Sequence, residues 1–380
     1  MKIALLGPSQ SGKTVYFSGL AYKYRNFVGF RPLSESDREF YRRERVDRRV
    51  ALQLGFATAA HEREVGEHIS LLAQRPICEW PEATIDLDRA NVSCEFHFTD
   101  PFDEDNEMET YRRKIEIYDP PGGALGGRHA DSYTITKALC GCDVTMAFLP
   151  TDLLLKAVEA KEPDILLNGS YFGKINEIIL ASAEKIRTEN ANDLLPVCII
   201  LSKSDMLQNL PENVINDVRD MLYNQIVKPF SRKNRNMTIC VCPVSVIDPA
   251  TGNFEASNLE WPFMFAAAGT IFRNSLALRE DAKDARLAAE KAERSADELK
   301  SEGWTWGRLK AWWNNDGVRA RHRLAQSHYT RFGRLVGEAE DDRALAKSAW
   351  TALGVEGKAR QVRIYAQGKE FDPATIAEKI

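Results

Sequence analysis

The sequence predicts an α/β fold in which a mostly parallel sheet is flanked by helices. Short apolar runs typical of buried strands lie at residues 2–6, 143–149, 196–201 and 238–244. Helical patterns near residues 164–190 and 206–229 separate the later runs, and strands that alternate with helices favour βαβ units. Residues 91–99 and 114–118 alternate between apolar and polar side chains, which predicts an antiparallel pair of strands.

Composition divides the chain into two parts near residue 260. We predict an α/β domain over residues 1–260, with a helical insertion at about residues 30–80, where charged residues are dense and apolar residues recur at helical spacing. Residues 261–380 are predicted to be a helical extension rich in tryptophan and arginine. Its first part, residues 263–300, is predicted to be one long helix. Residues 277–300 have the interleaved charges of a solvated helix, and the alternative for them is a coiled-coil-like contact with a partner.

Composition and charge also exclude several classes of protein. The 380 residues are 44% hydrophobic and 28% charged, with a net charge of −4, so the chain is not a general polyanion binder. No apolar run approaches the roughly 18 residues of a membrane-spanning helix, and the first run is too short for a secretory signal. The C-x-C pairs Cys140/Cys142 and Cys240/Cys242 are interpreted as buried thiols in strand-like segments. We therefore expect a cytoplasmic protein.

The most informative motif follows the first apolar run. Residues 7–14, called the glycine loop below, have the sequence GPSQSGKT and match G-x-x-x-x-G-K-[ST]. Glycines allow successive backbone N–H groups to point at phosphate oxygens, and the helix that follows adds the positive end of its dipole. The lysine of this pattern reaches the β- and γ-phosphates, and its hydroxyl residue binds Mg²⁺. The predicted phosphate-binding residues are Gly7, Ser9, Gln10, Ser11, Gly12, Lys13 and Thr14.

A carboxylate follows the apolar run at residues 115–118. The segment DPPG begins with Asp119, which the carboxyl end of a strand would place beside the glycine loop as a ligand of Mg²⁺. Gly122, three residues later, would offer its N–H group to a γ-phosphate. An Asp-Pro-Pro-Gly sequence is also a good turn, and the preceding motif is what favours the functional interpretation.

Two further motifs predict recognition of a base. Residues 202–205, called the SKSD loop below, follow an apolar run and contain Ser202, Lys203 and Asp205. The Asp205 carboxylate could accept hydrogen bonds from the N1–H and 2-amino groups of guanine, which adenine does not present. Taken alone, this loop is better explained as exposed charges at a strand end. Ser245 lies in the Pro-Val-Ser sequence that ends the next apolar run. This motif is weak alone, but its place in the chain, after the SKSD loop, is consistent with a second base-binding motif.

In this order, GPSQSGKT, DPPG, SKSD and PVS resemble the G1, G3, G4 and G5 motifs of translation-factor-class (TRAFAC) P-loop GTPases, over roughly residues 1–260. The opening GPSQSGKTVYFSGL and residues 80–84 are also similar to bacterial double-GTPase-type domains of prokaryotic conflict systems. The resemblance implies a P-loop NTPase (Ras-like) fold, GTP/GDP and Mg²⁺ as ligands, and a switch that acts with partner proteins in bacterial defence. The family's switch-I threonine, which closes over Mg²⁺ and the γ-phosphate, carries over to Thr84, with Thr99 as a competitor, so that the implied metal ligands are Thr14, Thr84 and Asp119.

Three departures from the family pattern affect the expected chemistry. Ser202 stands where Asn or Thr is usual, and Gly123 stands where many such GTPases carry a water-orienting residue. The segment between the glycine loop and DPPG is also long. We therefore expect slow intrinsic hydrolysis, completed by Arg128, by His129 or by a partner's group. The alternative for these two residues is an exposed loop flanked by glycines.

The C-terminal extension carries five of the seven tryptophans, between residues 304 and 350. Residues 304–334 also contain seven basic residues against only Asp316. We favour tryptophans that pack a helical module onto the α/β domain over aromatic anchors for a protein partner, and both over a nucleic-acid or membrane contact.

Together, the motifs predict a Mg²⁺-dependent GTPase that acts as a molecular switch. Its catalytic candidates are Lys13, Gly122, Arg128 and His129. Its expected partners are a guanine nucleotide and a protein bound through the C-terminal helices and switch loops. One alternative is an ATP-dependent ATPase or kinase, in which the SKSD loop is coincidental. The other is a nucleotide-binding adaptor without turnover.

Overall fold

A computed structural model of the chain describes residues 1–24, 53–56, 59–77, 91–98, 111–120, 132–189, 195–233, 237–302, 308–367 and 369–379. These residues form two compact units. The first unit joins Met1–Thr270 to Lys347–Lys379, and the second contains Ile271–Ala346. The division differs from the predicted boundary at residue 260, because the end of the chain returns to the first unit.

Strands of the first unit form a nine-stranded sheet and a separate two-stranded one. The strands are β1 (Lys2–Leu6), β2 (Gln53–Phe56), β3 (Asn91–Phe98), β4 (Tyr111–Tyr118), β5 (Val144–Pro150), β6 (Leu195–Ser202), β7 (Met237–Pro243), β8 (Ser245–Ile247), β9 (Phe254–Ser257), β10 (Arg363–Ala366) and β11 (Lys369–Glu370). The large sheet has the order β11-β10-β7-β6-β5-β1-β4-β3-β2, and β8 pairs with β9. Its five central strands, from β7 to β4, are parallel, whereas the two strands at each edge are antiparallel.

Burial explains the two kinds of strand pattern in the sequence. Strands β5 and β6 are buried at every residue, which is why they are continuous apolar runs rather than alternating ones. Strands β3 and β4 pair antiparallel from Asn91↔Tyr118 to Phe98↔Tyr111. The predicted α/β class, with a parallel central sheet flanked by helices and a helical C-terminal part, is confirmed.

The described helices are α1 (Lys13–Tyr24), α2 (Ala59–Leu72), α3 (Ser132–Leu139), α4 (Thr151–Ala160), α5 (Pro163–Gly169), α6 (Phe172–Glu189), α7 (Glu212–Leu222), α8 (Lys228–Lys233), α9 (Glu260–Glu302), α10 (Arg308–Ala352) and α11 (Ala374–Lys379). A 3₁₀ turn spans Ser204–Leu207, and a π-helical turn, Tyr223–Val227, joins α7 to α8. The long helix predicted after residue 262 is confirmed by α9. The helix predicted over residues 164–190 is divided into α5 and α6.

Two details of local structure differ from the prediction. The region of the predicted helical insertion does contain the helix α2, but it also contains strand β2, which was not predicted and which pairs with β3 at the sheet edge. Cys140 and Cys142 lie in the turn after α3 rather than in a strand. Burial raises the pKa of the Cys142 thiol to about 12. Cys240 and Cys242 are buried within β7, as predicted.

The second unit is an antiparallel pairing of the later part of α9 with the earlier part of α10. Alanines are buried along α9 at alternating spacings of three and four residues: Ala282, Ala285, Ala289, Ala292 and Ala296. This spacing is that of a coiled-coil seam, and Leu335 of α10 packs against its first two alanines. Arg321 Nη1 donates to the Ser295 carbonyl at 2.7 Å. The partner of this seam is therefore within the chain.

Trp350 is the C-terminal tryptophan whose surroundings are described. It is 2% exposed and lies edge-to-face with Phe265, with ring centroids 5.8 Å apart. The side chains of the other four, Trp304, Trp306, Trp312 and Trp313, lie outside the described part of the chain. In the described part, no helix combines the length and apolar character that crossing a bilayer requires.

Candidate functional site

A cavity of about 620 Å³, called the motif cavity below, collects most of the predicted site residues. It is lined by the glycine loop and the start of α1, by the end of β4, by β5, by the SKSD loop, and by the residues after β7. The lining residues are Ser9, Gln10, Ser11, Gly12, Lys13, Thr14, Val15, Tyr16, Asp119, Pro120, Phe148, Ser202, Lys203, Asp205, Met206, Val244, Val246 and Ile247. Motifs that are up to about 240 residues apart in sequence thus share one cavity.

The glycine loop connects the end of β1 to the start of α1 in a tight curve. Gln10 and Gly12 have positive φ values of 62° and 88°, which explains the glycine at position 12. A Cβ atom on Gly7 would lie 2.9 Å from the Phe148 Cβ and 2.7 Å from the Ser11 Oγ. Gly7 is therefore required for close approach of the loop to β5, even though it does not line the cavity itself.

The Lys13 side chain is folded back over the glycine loop. Its residue is 7% exposed, and Nζ donates to the carbonyls of Gly7 and Pro8 at 3.2 and 3.3 Å. The carboxylate oxygen Asp119 Oδ1 lies 4.0 Å from Nζ. Burial lowers the pKa of Lys13 from its usual 10.5, and the charge of Asp119 opposes this change only in part. The ammonium group is a buried positive charge that an anion would stabilise.

A hydroxyl and a carboxylate come together beside this lysine. Thr14 Oγ1 donates to Asp119 Oδ2 at 3.4 Å, and Asp119 is 8% exposed directly after β4. Both oxygens are suitable ligands for Mg²⁺, which is usually held by one or two carboxylates together with phosphates and water. In the described residues no group of three His, Cys, Asp or Glu side chains converges on a metal position. A cation here would therefore depend on phosphate oxygens and water for its other ligands.

Two buried hydroxyl groups of the motif cavity have no hydrogen-bond partner among the described residues. They are the Oγ atoms of Ser11, which is 1% exposed, and Ser202, which is 6% exposed. A buried polar group without a partner costs about 1–3 kcal/mol. Such groups call for an explanation, and a polar ligand in the cavity supplies one. The cavity thus fits an oxygen-rich group at the glycine loop.

The SKSD loop turns sharply at the end of β6. Lys203 has a φ of 57°, and the 3₁₀ turn that contains Asp205 follows it. The Ser245 hydroxyl donates to Asp205 Oδ1 at 3.1 Å, so the predicted third and fourth motifs are in direct contact. Lys203 Nζ donates to Asp152 Oδ1 at 3.2 Å. Charged and polar groups of this part of the cavity therefore already have defined orientations.

Apolar side chains complete the cavity near the SKSD loop. Met206, Val244, Val246 and Ile247 line it there, and Met206 is 42% exposed. Together with the stem of Lys203, they form a surface suited to a flat ring. These residues were missed by sequence reasoning. The signal for three of them is the apolar sequence around the Pro-Val-Ser motif, and the signal for Met206 is its position directly after Asp205.

The structure brings ten of the predicted site residues to the motif cavity, with Gly7 and Ser245 in contact with its lining. Four other predicted residues, Thr84, Gly122, Arg128 and His129, lie outside the described part of the chain, as does the competitor Thr99. Thr151 and Asp152, which hold the SKSD loop, were not predicted. The signal that could have found them is a polar pair directly after the buried strand β5.

A second and larger cavity, of about 990 Å³, lies between α7 and the strands β10 and β11. Ser204 and Leu207 line it from the opposite side of the 3₁₀ turn, but no residue of the glycine loop does. Because the predicted motifs converge elsewhere, the motif cavity is the candidate functional site. Comparison of the chain with family models and with curated proteins found no match.

Proposed function

We propose that this chain is a Mg²⁺-dependent GTP-binding and GTP-hydrolysing molecular switch with a P-loop NTPase (Ras-like) fold. The observation that carries the proposal is the meeting of Lys13, Asp119 and Asp205 in one cavity of about 620 Å³. The parallel central strands and the glycine loop between β1 and α1 also support this fold. A nucleotide would offer phosphates to Lys13, phosphate-bound Mg²⁺ to Asp119 and a base to Asp205.

The glycine loop and Lys13 would hold the phosphates. The N-terminus of α1 contributes backbone N–H groups and a dipole that favours anions. Phosphate oxygens would give the buried Lys13 ammonium the negative charge that the Gly7 and Pro8 carbonyls do not supply. Thr14 and Asp119 would hold Mg²⁺, which neutralises charge that develops on the β- and γ-phosphate oxygens when it is bound.

Asp205 would determine the preference for guanine. An ionised carboxylate has about four lone-pair positions, so the hydrogen bond from Ser245 leaves capacity for both the N1–H and the 2-amino group. The Lys203 stem and the apolar residues beside it would contact the ring faces. Adenine lacks both donors at this edge, so its nucleotides would leave the carboxylate unsatisfied.

The hydrolytic step is proposed from the sequence motifs alone. Thr84 and Gly122 would sense the γ-phosphate, and Arg128 or His129 would complete the hydrolytic site. An arginine supplied by a partner raises the rates of such reactions by about 10³–10⁵, so a slow rate in the isolated chain agrees with a switch.

We also propose a protein partner for the C-terminal helices, in a cytoplasmic bacterial defence system. Support for a partner comes from residues 317–337 of α10, which contain five arginines and no acidic residue. Leu324 and Tyr329 of this segment are exposed. Aromatic residues and arginine are enriched at protein interfaces.

Equilibrium binding of fluorescent GTP and ATP analogues, with Mg²⁺, tests the proposal. We expect a preference for GTP of about 10- to 100-fold, because hydrogen bonds to a charged group contribute about 1.5–3 kcal/mol. Asp205→Asn should exchange this preference for xanthine nucleotides, since the amide can accept from N1–H and donate to the 2-oxygen. Asp297→Asn makes the same change at an exposed position of α9 and should leave the preference for guanine intact.

Other outcomes of this experiment would favour the alternatives. Equal binding of the two nucleotides, or a preference for ATP, would reduce the SKSD loop to a structural turn and favour an ATPase or kinase. Guanine-specific binding without phosphate release over long times, with or without a partner, would favour a nucleotide-binding adaptor.

A further inference from the structure

The SKSD loop has a strained backbone that other residues must hold in place. Strand β6 ends at Ser202, and Lys203 has a φ of 57°. A residue other than glycine in this left-handed region costs about 1–2 kcal/mol. Such a conformation persists only when surrounding contacts determine it. The contacts of the loop therefore show what keeps Asp205 at the motif cavity.

The side chain of Ser202 does not provide the required contact with the glycine loop. Gly12 is its neighbour there, since a Cβ on Gly12 would lie 3.6 Å from the Ser202 Cβ. The Ser202 hydroxyl is nevertheless buried without a hydrogen-bond partner among the described residues. The two loops are adjacent, but this serine does not join them by a hydrogen bond.

The junction of β5 with α4 provides contacts of the required kind. Pro150 is the register partner of Ser202 in the neighbouring strand. The next residue, Thr151, is fully buried and donates from Oγ1 to the Ser202 carbonyl at 2.7 Å. Asp152, one residue further, accepts from Lys203 Nζ at 3.2 Å. Two consecutive residues thus hold two consecutive residues of the SKSD loop.

The contact with Asp152 also affects the chemistry of Lys203. Its ammonium group is paired with a carboxylate, and the lysine and aspartate side chains are 44% and 31% exposed. A paired lysine attracts a phosphate less than an unpaired one, because the carboxylate offsets its charge. Its alkyl stem stays available for contact with an apolar ring.

We propose that Thr151 and Asp152 are positioning residues for guanine recognition, with Thr151 fixing the backbone at Ser202 and Asp152 fixing the Lys203 side chain. This inference rests on the proposed function and adds two residues to those that determine its specificity for guanine. Neither residue contacts the nucleotide in this proposal. They act through the SKSD loop, whereas the glycine loop is held independently by its own contacts with Lys13.

Binding of fluorescent GDP and binding of tripolyphosphate, a ligand without a base, distinguish the contribution of the SKSD loop from that of the glycine loop. Asp152→Asn should weaken GDP binding about threefold to tenfold, the effect of one hydrogen bond, and should not weaken tripolyphosphate binding. Thr151→Val, which keeps the side-chain shape, should weaken GDP binding by a similar factor. Asp164→Asn is the matched control. Asp164 lies in the first turn of α5, as Asp152 lies in the first turn of α4, but Asp164 is exposed, whereas Asp152 is half-buried.

A double-mutant cycle tests whether Asp152 acts through Lys203. In the Lys203→Ala chain, adding Asp152→Asn should reduce GDP affinity less than twofold further. A fully additive loss, an equal loss of tripolyphosphate binding, or an Asp152→Asn chain that behaves like the control would overturn the inference. If the unsubstituted chain does not prefer guanine, the proposed function fails first. If it does and Asp152 has no effect, only this inference fails.

Discussion

Lys13 and Lys203 both line the motif cavity, but they are held in different ways. Lys13 is buried, donates to two uncharged carbonyls and lies 4.0 Å from Asp119 Oδ1, whereas the partly exposed Lys203 donates to the Asp152 carboxylate at 3.2 Å. The more distant Asp119 offsets the charge of Lys13 only in part, so this buried ammonium group still favours an anion. Asp152 offsets the charge of Lys203. The comparison assigns phosphate binding to Lys13 and contact with the base to Lys203.

The largest expected effect is that of Lys13→Ala. We expect GTP affinity to fall by at least about 100-fold, because the substitution removes the main positive charge aimed at the phosphates, and hydrogen bonds to charged groups contribute about 1.5–3 kcal/mol each. Titration with fluorescent GTP measures the loss, and Lys283→Ala, at an exposed position of α9, is the control. Unchanged affinity in Lys13→Ala would end the interpretation of the glycine loop as a phosphate site.

A pH titration sharpens the comparison, because burial lowers the pKa of Lys13. Bound phosphate would raise this pKa, so the complex would hold more protons than the free protein between the two values. GTP affinity should therefore fall as the pH rises through the pKa of Lys13 in the free protein, by at most about tenfold per pH unit. Binding should also take up protons, which calorimetry in buffers of different ionisation enthalpy detects.

Lys13→Arg is the control for this titration, since arginine keeps its charge throughout the range. Any ionisation of the base affects both proteins equally, so the difference between their curves isolates the lysine. Identical curves for the two proteins at all pH values below 10.5, the usual pKa of a lysine, would contradict a role for the Lys13 charge in binding.

The smallest expected effect is that of Lys203→Ala. GDP affinity should fall about threefold to tenfold through loss of apolar contact with the ring, since each buried CH₂ contributes about 0.8 kcal/mol. A loss as large as that of Lys13→Ala, measured in the same titration, would remove the proposed difference between the two lysines.

Local pattern was sufficient to predict the part of the fold that positions the site. The apolar run before Gly7, the glycine loop and the buried strands β5 to β7 are each recognisable within a short window of sequence. The carboxyl ends of parallel strands share one edge of the sheet, so Asp119 and Asp205 could be assigned to one site before their positions were known. Long, continuous apolar runs carry the most reliable signal.

Contacts between distant segments could not be predicted in the same way. Strand β2 consists of four residues in a charged region, and its pairing with β3 determines its conformation more than its own composition does. Asp152 belongs to no phosphate or base motif, and its role depends on the left-handed turn at Lys203. Contacts such as these exist only in the folded chain, so a short window of sequence does not reveal them.

The pairing of β10 with β7 has a consequence for biosynthesis. Antiparallel register joins Arg363–Ala366 to the strand Met237–Pro243. About 120 residues separate the end of β7 from the start of β10. At a ribosomal rate of about 5–20 residues per second, that delay lasts roughly 6–24 s. During this interval the growing chain has every motif of the cavity but an unpaired edge at β7, the kind of edge that recruits other strands. The nascent protein is therefore exposed to pairing with strands of other chains after its site is synthesised and before β10 emerges to cover β7.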